Sequence, residues 1–211
     1  MTIEDIMRTA PVIPVLVLDD TVDPVELAET LVGAGLPVLE VTLRTPGALE
    51  AIRAMSRVPG AIVGAGTVLN EAQLAQAVDA GSQFIVAPGL TNPLALAARD
   101  SGVPFLPGVA TAADVMRGFD LGLNRFKFFP AEASGGIPAL KALSAPLYDA
   151  RFCPTGGVQP QTAAEWLAVP SVLCVGGTWF IRPGETDMSK VAERARVAAA
   201  LPREAGQRLF R

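Results

Sequence analysis

A lysine interrupts an apolar stretch of this sequence. Lys127 stands between Phe126 and Phe128 in RFKFFP (125–130), a run that is typical of a β-strand. Because side chains alternate along a strand, Lys127 shares one face with Phe129, and its two phenylalanine neighbours share the other. An apolar surrounding disfavours the ammonium form of a lysine, which makes the neutral amine available as a nucleophile near neutral pH. We therefore interpret Lys127 as a candidate Schiff-base residue; the alternative is a structural lysine paired with a buried carboxylate.

A carboxylate interrupts a second apolar run in the same way. Glu40 lies in PVLEVTL (37–43), and Arg44 follows on the same face if the strand extends that far. Beside a Schiff-base lysine, Glu40 would supply the general acid and base; alternatively, it forms only a structural ion pair with Lys127 or an arginine. The planar guanidinium of Arg44 can hold a substrate carboxylate through two parallel hydrogen bonds, although many such arginines are simply solvated or salt-bridged. Thr67, after a glycine-rich turn, could bind the same carboxylate or cap the following helix.

Two glycine pairs end the last two apolar runs. They are Thr155-Gly156-Gly157 and Gly176-Gly177-Thr178. Glycine lets backbone N–H groups approach an anion closely, and the hydroxyl beside each pair adds another donor. Barrels of alternating strands and helices commonly hold phosphate at these two loops. We therefore expect a phosphate site here; ordinary tight strand-to-helix turns are the alternative.

The residue types that are missing narrow the chemistry. The 211 residues include no histidine, and Cys153 and Cys174 lie in separate apolar runs without ligand-type spacing. A zinc site and a serine–histidine or cysteine–histidine pair lack their usual residues, so we expect neither a metal nor another cofactor. The net charge is -4 and the basic residues are dispersed, so no nucleic-acid partner is expected. No apolar run reaches the roughly 18 residues of a membrane span and no signal peptide is recognisable, which indicates a cytoplasmic protein without a membrane partner.

Eight short apolar runs are predicted to be strands, and the segments between them have helical spacing. Helix-start signals include Asp23-Pro24, Asn70 and Asn92-Pro93. Because strands and helices alternate without a linker, we predict an α/β fold, a single (β/α)8 TIM barrel over residues 1–211 with a short N-terminal helix. An open doubly wound sheet is the alternative. The runs are 12–18, 37–43, 61–66, 83–88, 103–108, 125–130, 150–157 and 171–177.

Five segments together resemble the bacterial 2-keto-3-deoxy-6-phosphogluconate (KDPG) and 4-hydroxy-2-oxoglutarate aldolases. The resemblance runs in order from about residue 10 to residue 185 and includes APGLTNP (87–93). It implies a metal-free class I aldolase in which Lys127 forms the Schiff base and Glu40 is the general acid and base. The segments are LEVTLRT (39–45), VGAGTVLN (63–70), FKFFPAEASGG (126–136), RFCPTGGV (151–158) and VLCVGGTW (172–179).

The resemblance also implies how a substrate lies in the site. Arg44 and Thr67 would hold the carboxylate of pyruvate, and Pro88 and Phe129 would line the pocket around its methyl end. Thr178 departs from the serine that the family often has, which keeps a hydroxyl but adds a methyl group. The phosphate would be held by Thr155, Gly156, Gly157, Gly176, Gly177 and Thr178.

The implied partner is a small phosphorylated keto acid, cleaved to pyruvate and glyceraldehyde 3-phosphate. Similar enzymes also accept 4-hydroxy-2-oxoglutarate, which gives pyruvate and glyoxylate, and are commonly homotrimers. Three alternatives stay open on the residues. They are an aldolase of the galactonate series, which differs in configuration at carbon four, a sugar-phosphate isomerase or epimerase, and a non-catalytic phosphosugar-binding barrel.

Overall fold

The computed structural model describes residues 1–202, and the expected domain boundary at residue 211 lies outside these described residues. Strands and helices alternate along the chain, as the periodicity predicts. The strands are β1 Val12–Leu16, β2 Val38–Thr42, β3 Ile62–Gly66, β4 Phe84–Val86, β5 Phe105–Leu106, β6 Gly108–Val109, β7 Arg125–Phe128, β8 Arg151–Pro154 and β9 Val175–Gly177. The helices are α1 Ile3–Thr9, α2 Pro24–Gly33, α3 Ala48–Met55, α4 Glu71–Asp79, α5 Asn92–Ser101, α6 Ala112–Asp120, α7 Gly136–Ser144, α8 Ala163–Leu167 and α9 Met188–Ala199.

The strands form two parallel sheets. In the six-stranded sheet, β1 to β5 lie side by side in chain order, and β9 pairs with β1. The three-stranded sheet contains β6, β7 and β8. A doubly wound sheet reverses its strand order in the middle, whereas here the order continues in one direction and the last strand lies beside the first. The parallel α/β architecture is therefore confirmed, and the doubly wound alternative does not match the strand order.

The predicted run 103–108 does not form one continuous strand. Pro107 separates β5 from β6, and proline has no N–H to contribute to a strand ladder. Because β5 pairs with β4 and β6 pairs with β7, one gap between the two sheets falls at this proline. On the other side, the isolated bridges Phe152↔Val172 and Thr155↔Gly176 connect β8 with the chain at and before β9.

Apolar side chains cover both faces of the strands. An outer cluster packs the strands against the helices, and an inner cluster lies between the sheets. The inner cluster includes Val38 of β2 and Val86 of β4 from the larger sheet and Cys153 of β8 from the smaller one. Strands with both faces buried have nearly continuous apolar sequences, and the predicted strand segments of this chain have that pattern. The two sheets therefore enclose a common interior.

Helix α1 covers the amino ends of the strands. Its Ile6 and Met7 belong to the inner cluster. Glu4 accepts hydrogen bonds from Nε of Arg8 at 2.7 Å and from Nε of Arg125, the first residue of β7, at 3.0 Å. Partial burial opposes ionisation of Glu4, but the hydrogen bonds and charges of the two arginines outweigh it and lower its pKa. This ion-pair cluster attaches α1 to the strand that carries Lys127.

Two of the three predicted helix starts have the expected caps. The side chain of Asp23 accepts a hydrogen bond from the backbone of Val25, and that of Asn70 accepts one from Gln73. The third helix begins one residue earlier than its proline signal indicates, because Thr91 is the N-cap and Asn92 is already helical.

Among residues 1–202, no helix is both long and apolar enough to span a membrane.

Candidate active site

Lys127 lies in the interior between the two sheets. Its neighbours on β7 point the other way: the ring of Phe126 lies 6.2 Å from that of Phe119 on α6, and the ring of Phe128 lies 6.3 Å from that of Trp166 on α8. Strand alternation thus sends both phenylalanines to the helices and Lys127 to the opposite face. Only 6% of Lys127 is exposed.

Lys127 and Glu40 form an ion pair across this interior. The Nζ of Lys127 donates a hydrogen bond to Oε1 of Glu40 at 2.9 Å. Glu40 projects from β2 of the larger sheet, and only 3% of it is exposed. A buried charge is tolerated when it is paired, so each side chain makes the burial of the other possible. The contact brings the candidate nucleophile within proton-transfer distance of the candidate general base.

Two glycines of β3 provide the space for the side chains beside them. A Cβ on Gly66 would overlap the carboxyl group of Glu40, and a Cβ on Gly64 would meet the ring of Phe84 at 2.5 Å. Because alternate residues of a strand share a face, both glycines line the interior. The absence of side chains at Gly64 and Gly66 therefore makes room for Phe84 and Glu40.

Arg44 and Thr67 lie together just beyond the ends of β2 and β3. The Nε of Arg44 donates a hydrogen bond to Oγ1 of Thr67 at 3.3 Å. Arg44 is exposed and Thr67 is half-buried. Thr67 has a φ of +59°, which is uncommon for a residue with a Cβ and is often found at functional sites. Thr67 does not cap the next helix, because Asn70 does so.

Pro88 and Phe129 lie on either side of the pairing between β6 and β7. Gly108 pairs with Lys127, and a Cβ on Gly108 would overlap the carbonyl group of Pro88. Phe129 follows β7, and its ring centroid lies 5.5 Å from Nζ of Lys127. The ring of Phe129 also lies 3.2 Å from where a Cβ on Gly156 would be. Phe129 therefore lies between Lys127 and the first glycine loop, Thr155-Gly156-Gly157.

The Thr155-Gly156-Gly157 loop is held by the chain that follows β7. The backbone N–H groups of Ala131 and Glu132 donate to the carbonyl oxygens of Thr155 and Gly156 at 2.8 and 3.0 Å. Gly156 and Gly157 have φ values of +97° and +87°, a region that glycine adopts without strain. Within residues 1–202, their N–H groups donate to no protein acceptor. The loop thus presents two unused N–H donors, as an anion-binding loop requires.

The second glycine loop, Gly176-Gly177-Thr178, consists of the last two residues of β9 and the residue after it. It lies beside the first glycine loop, because Gly176 forms a bridge with Thr155. A Cβ on Gly176 would overlap the side chain of Thr155, and one on Gly177 would overlap the ring of Trp179. Thr155 is buried and Thr178 is exposed. The six residues predicted to bind phosphate are therefore brought together at the carboxyl ends of β8 and β9.

The chain after Thr178 is anchored to its surroundings. Nη2 of Arg194 lies 2.6 Å from Oε2 of Glu185, and the backbone N–H of Gly184 donates to Oδ2 of Asp19 at 3.3 Å. The hydrogen bond from Arg194 lowers the pKa of Glu185 despite some desolvation. These contacts connect the loop after β9 with α9 and with the chain after β1.

Ligands for a metal do not cluster in the described part of the chain. Residues 1–202 contain no group of three or more His, Cys, Asp or Glu side chains arranged to hold a metal ion. The residues that are clustered instead are a buried amine, a carboxylate at 2.9 Å, an arginine–threonine pair and two glycine loops. An amine so placed can form an imine, and the carboxylate beside it can transfer protons. The arginine and the glycine loops can bind two anionic groups.

One contact at the site has no counterpart among the sequence-based candidates. Glu132, in the turn after β7, accepts a hydrogen bond from Nε1 of Trp166 at 3.1 Å and lies against Gly157. Glu132 could have been selected from the sequence, because it is an acidic residue shortly after a strand that carries a candidate nucleophile. Its partner Trp166 could not, because that contact depends on how α8 packs against the turn after β7.

Comparison with known proteins gives one consistent family. The family profile described as KDPG and KHG aldolase matches residues 3–197. A 2-dehydro-3-deoxy-phosphogluconate aldolase of Zymomonas mobilis is 56% identical over 203 residues, which cover 96% of this chain and 98% of that protein.

Solved structures agree with this comparison. The crystal structure of the Zymomonas mobilis ZM4 2-keto-3-deoxy-6-phosphogluconate aldolase with 3-phosphoglycerate has a TM-score of 0.94 and 56% identity and covers 96% of this chain and 97% of that one. A Legionella pneumophila KDPG aldolase, in which pyruvate was captured as a covalent carbinolamine, has a TM-score of 0.91 and 40% identity and covers 95% of this chain and 99% of that one.

Proposed function

The chain belongs to the KDPG and KHG aldolase family, and we propose on that basis that it cleaves its substrate as a class I aldolase through a Schiff base at Lys127. The reaction is the cleavage of 2-dehydro-3-deoxy-6-phosphogluconate to pyruvate and glyceraldehyde 3-phosphate. The observation that carries the mechanism is the buried contact of 2.9 Å between Lys127 and Glu40. No metal or other cofactor takes part in the proposed steps.

The reaction begins with transfer of the ammonium proton of Lys127 to Glu40, which leaves a neutral amine. The amine attacks the keto carbon of the substrate to form a carbinolamine. Glu40 then returns its proton to the hydroxyl group of the carbinolamine, which leaves as water and gives a protonated imine. Glu40, acting through a water molecule, then removes the proton from the hydroxyl on carbon four as the bond between carbons three and four breaks. The bonding electrons move into the imine to form an enamine, and the aldehyde leaves. Protonation of the enamine and hydrolysis release pyruvate and regenerate Lys127.

The pyruvate half of the substrate would lie near Arg44, Thr67, Pro88 and Phe129. The hydrogen bond between Arg44 and Thr67 supports a shared carboxylate-binding role, since both groups are at one place and can turn donors toward an anion. Phe129 supports the apolar side of this pocket, because its ring is 5.5 Å from Nζ of Lys127. The carbinolamine of pyruvate in the Legionella pneumophila relative supports an imine-forming mechanism.

The phosphate half would lie at the two glycine loops. The unused N–H groups of Gly156 and Gly157 support this assignment, as does the bridge between Thr155 and Gly176 that joins the loops. The hydroxyl of Thr178 would add a donor. The 3-phosphoglycerate in the Zymomonas mobilis relative is a phosphorylated acid of similar chemistry.

The finer architecture belongs to the same proposal. We propose that the two sheets constitute one (β/α)8 barrel and one domain, in which β5 and β6 are halves of a strand interrupted at Pro107. The bridges between β8 and the chain around β9, and the pairing of β9 with β1, support closure. A cytoplasmic homotrimer is the expected form of the enzyme, and sedimentation of the purified protein would test the subunit number.

Several substrates and reactions compete with the proposal. Activity on 4-hydroxy-2-oxoglutarate is expected, because its pyruvate half is the same, while a carboxylate on carbon four replaces the phosphorylated end. An aldolase of the galactonate series would use the same lysine and would differ in its preference at carbon four. A sugar-phosphate isomerase or epimerase, or a non-catalytic binding protein, would not form an imine with pyruvate.

The decisive experiment compares the two sugar acids that differ at carbon four. Pyruvate release would be followed with the purified enzyme and with each phosphorylated acid. We expect cleavage of the gluconate-type substrate with the higher kcat/KM. A higher kcat/KM for the galactonate-type substrate would support the alternative aldolase, and no cleavage of either acid would reject both.

A further inference from the structure

Glu132 contacts the first glycine loop from outside the catalytic pair. It lies in the turn between β7 and α7, where its backbone N–H donates to the carbonyl oxygen of Gly156 at 3.0 Å. Its side chain lies against Gly157, so that a Cβ on Gly157 would come within 2.6 Å of Cβ and Cγ of Glu132. Backbone and side chain thus contact two successive residues of the loop.

The carboxylate of Glu132 is held in turn by α8. Its Oε1 accepts a hydrogen bond from the indole nitrogen of Trp166 at 3.1 Å. Trp166 is fully buried, and its ring lies 6.3 Å from that of Phe128 on β7. A buried tryptophan has little freedom to move, and its indole nitrogen can only donate. The contact therefore fixes the rotamer of Glu132 from a rigid element.

The backbone amides of Gly156 and Gly157 must point in one direction to bind an anion together. Glycine by itself does not hold such a geometry, because its backbone has more accessible conformations than that of any other residue. The methylene groups of Glu132 limit the movement of Gly157 on one side, and the ring of Phe129 limits that of Gly156 on another.

We propose that Glu132 is a positioning residue that holds the Gly156-Gly157 loop in its phosphate-binding conformation and thereby sets the preference for phosphorylated substrates. Glu132 acts through its hydrogen bond to Trp166 and its packing against Gly157, without contacting the reacting atoms. The inference rests on the proposed function of this loop as the phosphate site.

The test compares Glu132→Ala, Glu132→Gln and Glu165→Ala. Glutamine keeps an oxygen that can accept from Trp166, whereas alanine removes both the acceptor and Cγ. Glu165 is the matched control, because it is an exposed carboxylate next to Trp166 on α8. For each variant we would measure kcat/KM for the phosphorylated substrate and the rate at which borohydride inactivates the enzyme in the presence of pyruvate.

We expect Glu132→Ala to lower kcat/KM for the phosphorylated substrate by about ten-fold, mainly through KM. Imine formation with pyruvate involves no phosphate, so its rate is expected to change by less than about two-fold. Glu132→Gln should recover most of kcat/KM, and Glu165→Ala should resemble the parent. Trp166→Phe, which removes the N–H donor and leaves a smaller ring, should also lower kcat/KM for the phosphorylated substrate.

Each other outcome rejects part of the account. If Glu132→Ala slows both reactions equally, or changes neither, Glu132 does not position the phosphate loop. If Glu132→Gln loses as much as Glu132→Ala, the hydrogen bond to Trp166 is not the means. The proposed function has a separate test in the parent enzyme. It would be rejected if the parent formed no adduct with pyruvate, or if it showed no preference for a phosphorylated over an unphosphorylated substrate.

Discussion

The Nζ of Lys127 lies 2.9 Å from Oε1 of Glu40, and the two side chains are only 7% and 4% exposed. Removing one partner of such a buried pair leaves an unpaired charge and typically costs about 3–5 kcal/mol. Substitutions that keep the shape of the side chain are therefore more informative than alanine at these two positions.

Lys127 should be the lysine that reacts with pyruvate. The chain has three lysines, and Lys141 and Lys190 are exposed whereas Lys127 is buried beside Glu40. Borohydride reduction with pyruvate followed by peptide mapping should give a single labelled peptide that contains Lys127. A label on Lys141 or Lys190, or full cleavage activity without any label, would overturn the assignment.

Glu40→Gln should separate imine formation from cleavage. The amide retains the size of the carboxyl group but cannot accept a proton, so kcat for cleavage should fall by about 10² or more. Water can still take the ammonium proton, so the adduct at Lys127 should form on longer incubation. Mass spectrometry of the reduced protein and an assay of pyruvate release check the two parts. Cleavage at the parental rate would remove Glu40 from the mechanism.

Gly157→Ala should selectively lower the activity of the enzyme on the phosphorylated substrate. An added Cβ would come within 2.6 Å of Glu132 at a φ of +87°, so the loop must shift. We expect a fall of roughly ten-fold or more in kcat/KM for the phosphorylated substrate and a much smaller fall for 4-hydroxy-2-oxoglutarate. Gly184→Ala is the matched control, because Gly184 has a φ of +72° with no neighbour at its Cβ position.

Arg44→Ala should lower the activity of the enzyme on both substrates. Arg44 is assigned to the carboxylate next to the keto group, which both substrates share. Loss of a charge-assisted hydrogen bond should lower both kcat/KM values by about ten-fold or more. A loss confined to the phosphorylated substrate would mean that Arg44 serves the phosphate end.

Chelation should leave activity intact. The chain has no histidine, and the proposed reaction uses the imine of Lys127 as its electron sink. Incubation with EDTA, removal of the chelator and assay should return the activity of an untreated sample. Activity that is lost and then restored by a divalent metal would contradict the mechanism.

Glu4→Gln should reduce stability at neutral pH more than in acid. The pKa of Glu4 is lowered from 4.5 on folding, so its ionised form stabilises the protein fully above that pH. As the pH falls through the lower folded pKa, the contribution is lost. Urea unfolding should therefore give a difference between parent and variant, on the order of 1 kcal/mol at pH 7, that shrinks below pH 4.5.

The control for this prediction is Glu29→Gln. Glu29 is exposed on α2 and forms no ion pair within residues 1–202. Its substitution should change the free energy of unfolding little at either pH. A constant difference between the parent and Glu4→Gln across the acid range would show that the Arg8 and Arg125 contacts do not lower the pKa of Glu4.

Local patterns in the sequence were enough to predict the alternation of strands and helices and the direction of individual side chains. Lys127 faces the interior and Phe126 and Phe128 face helices because a strand turns successive side chains to opposite faces. Asp23 and Asn70 cap helices because each side chain reaches an N–H only two or three residues away. These effects involve near neighbours in the chain.

Contacts between distant segments were decided by the tertiary structure. Glu40 reaches Lys127 only because β2 and β7 face each other and because Gly66 leaves room for the carboxyl group. The contact between Glu132 and Trp166 depends similarly on how α8 packs against the turn after β7. The division of the strands into two sheets at Pro107 was also not predicted, although the missing N–H of proline explains it.

Local sequence patterns thus indicate which residues could do chemistry and which face of its element each one occupies, since burial pattern and backbone geometry repeat over a few residues. The tertiary structure decided the distances between them. Lys127 and Glu40 are 87 positions apart, and their separation of 2.9 Å depends on strand order, register and the volumes of intervening side chains. Those quantities come from packing the whole chain into one interior, which no local pattern specifies.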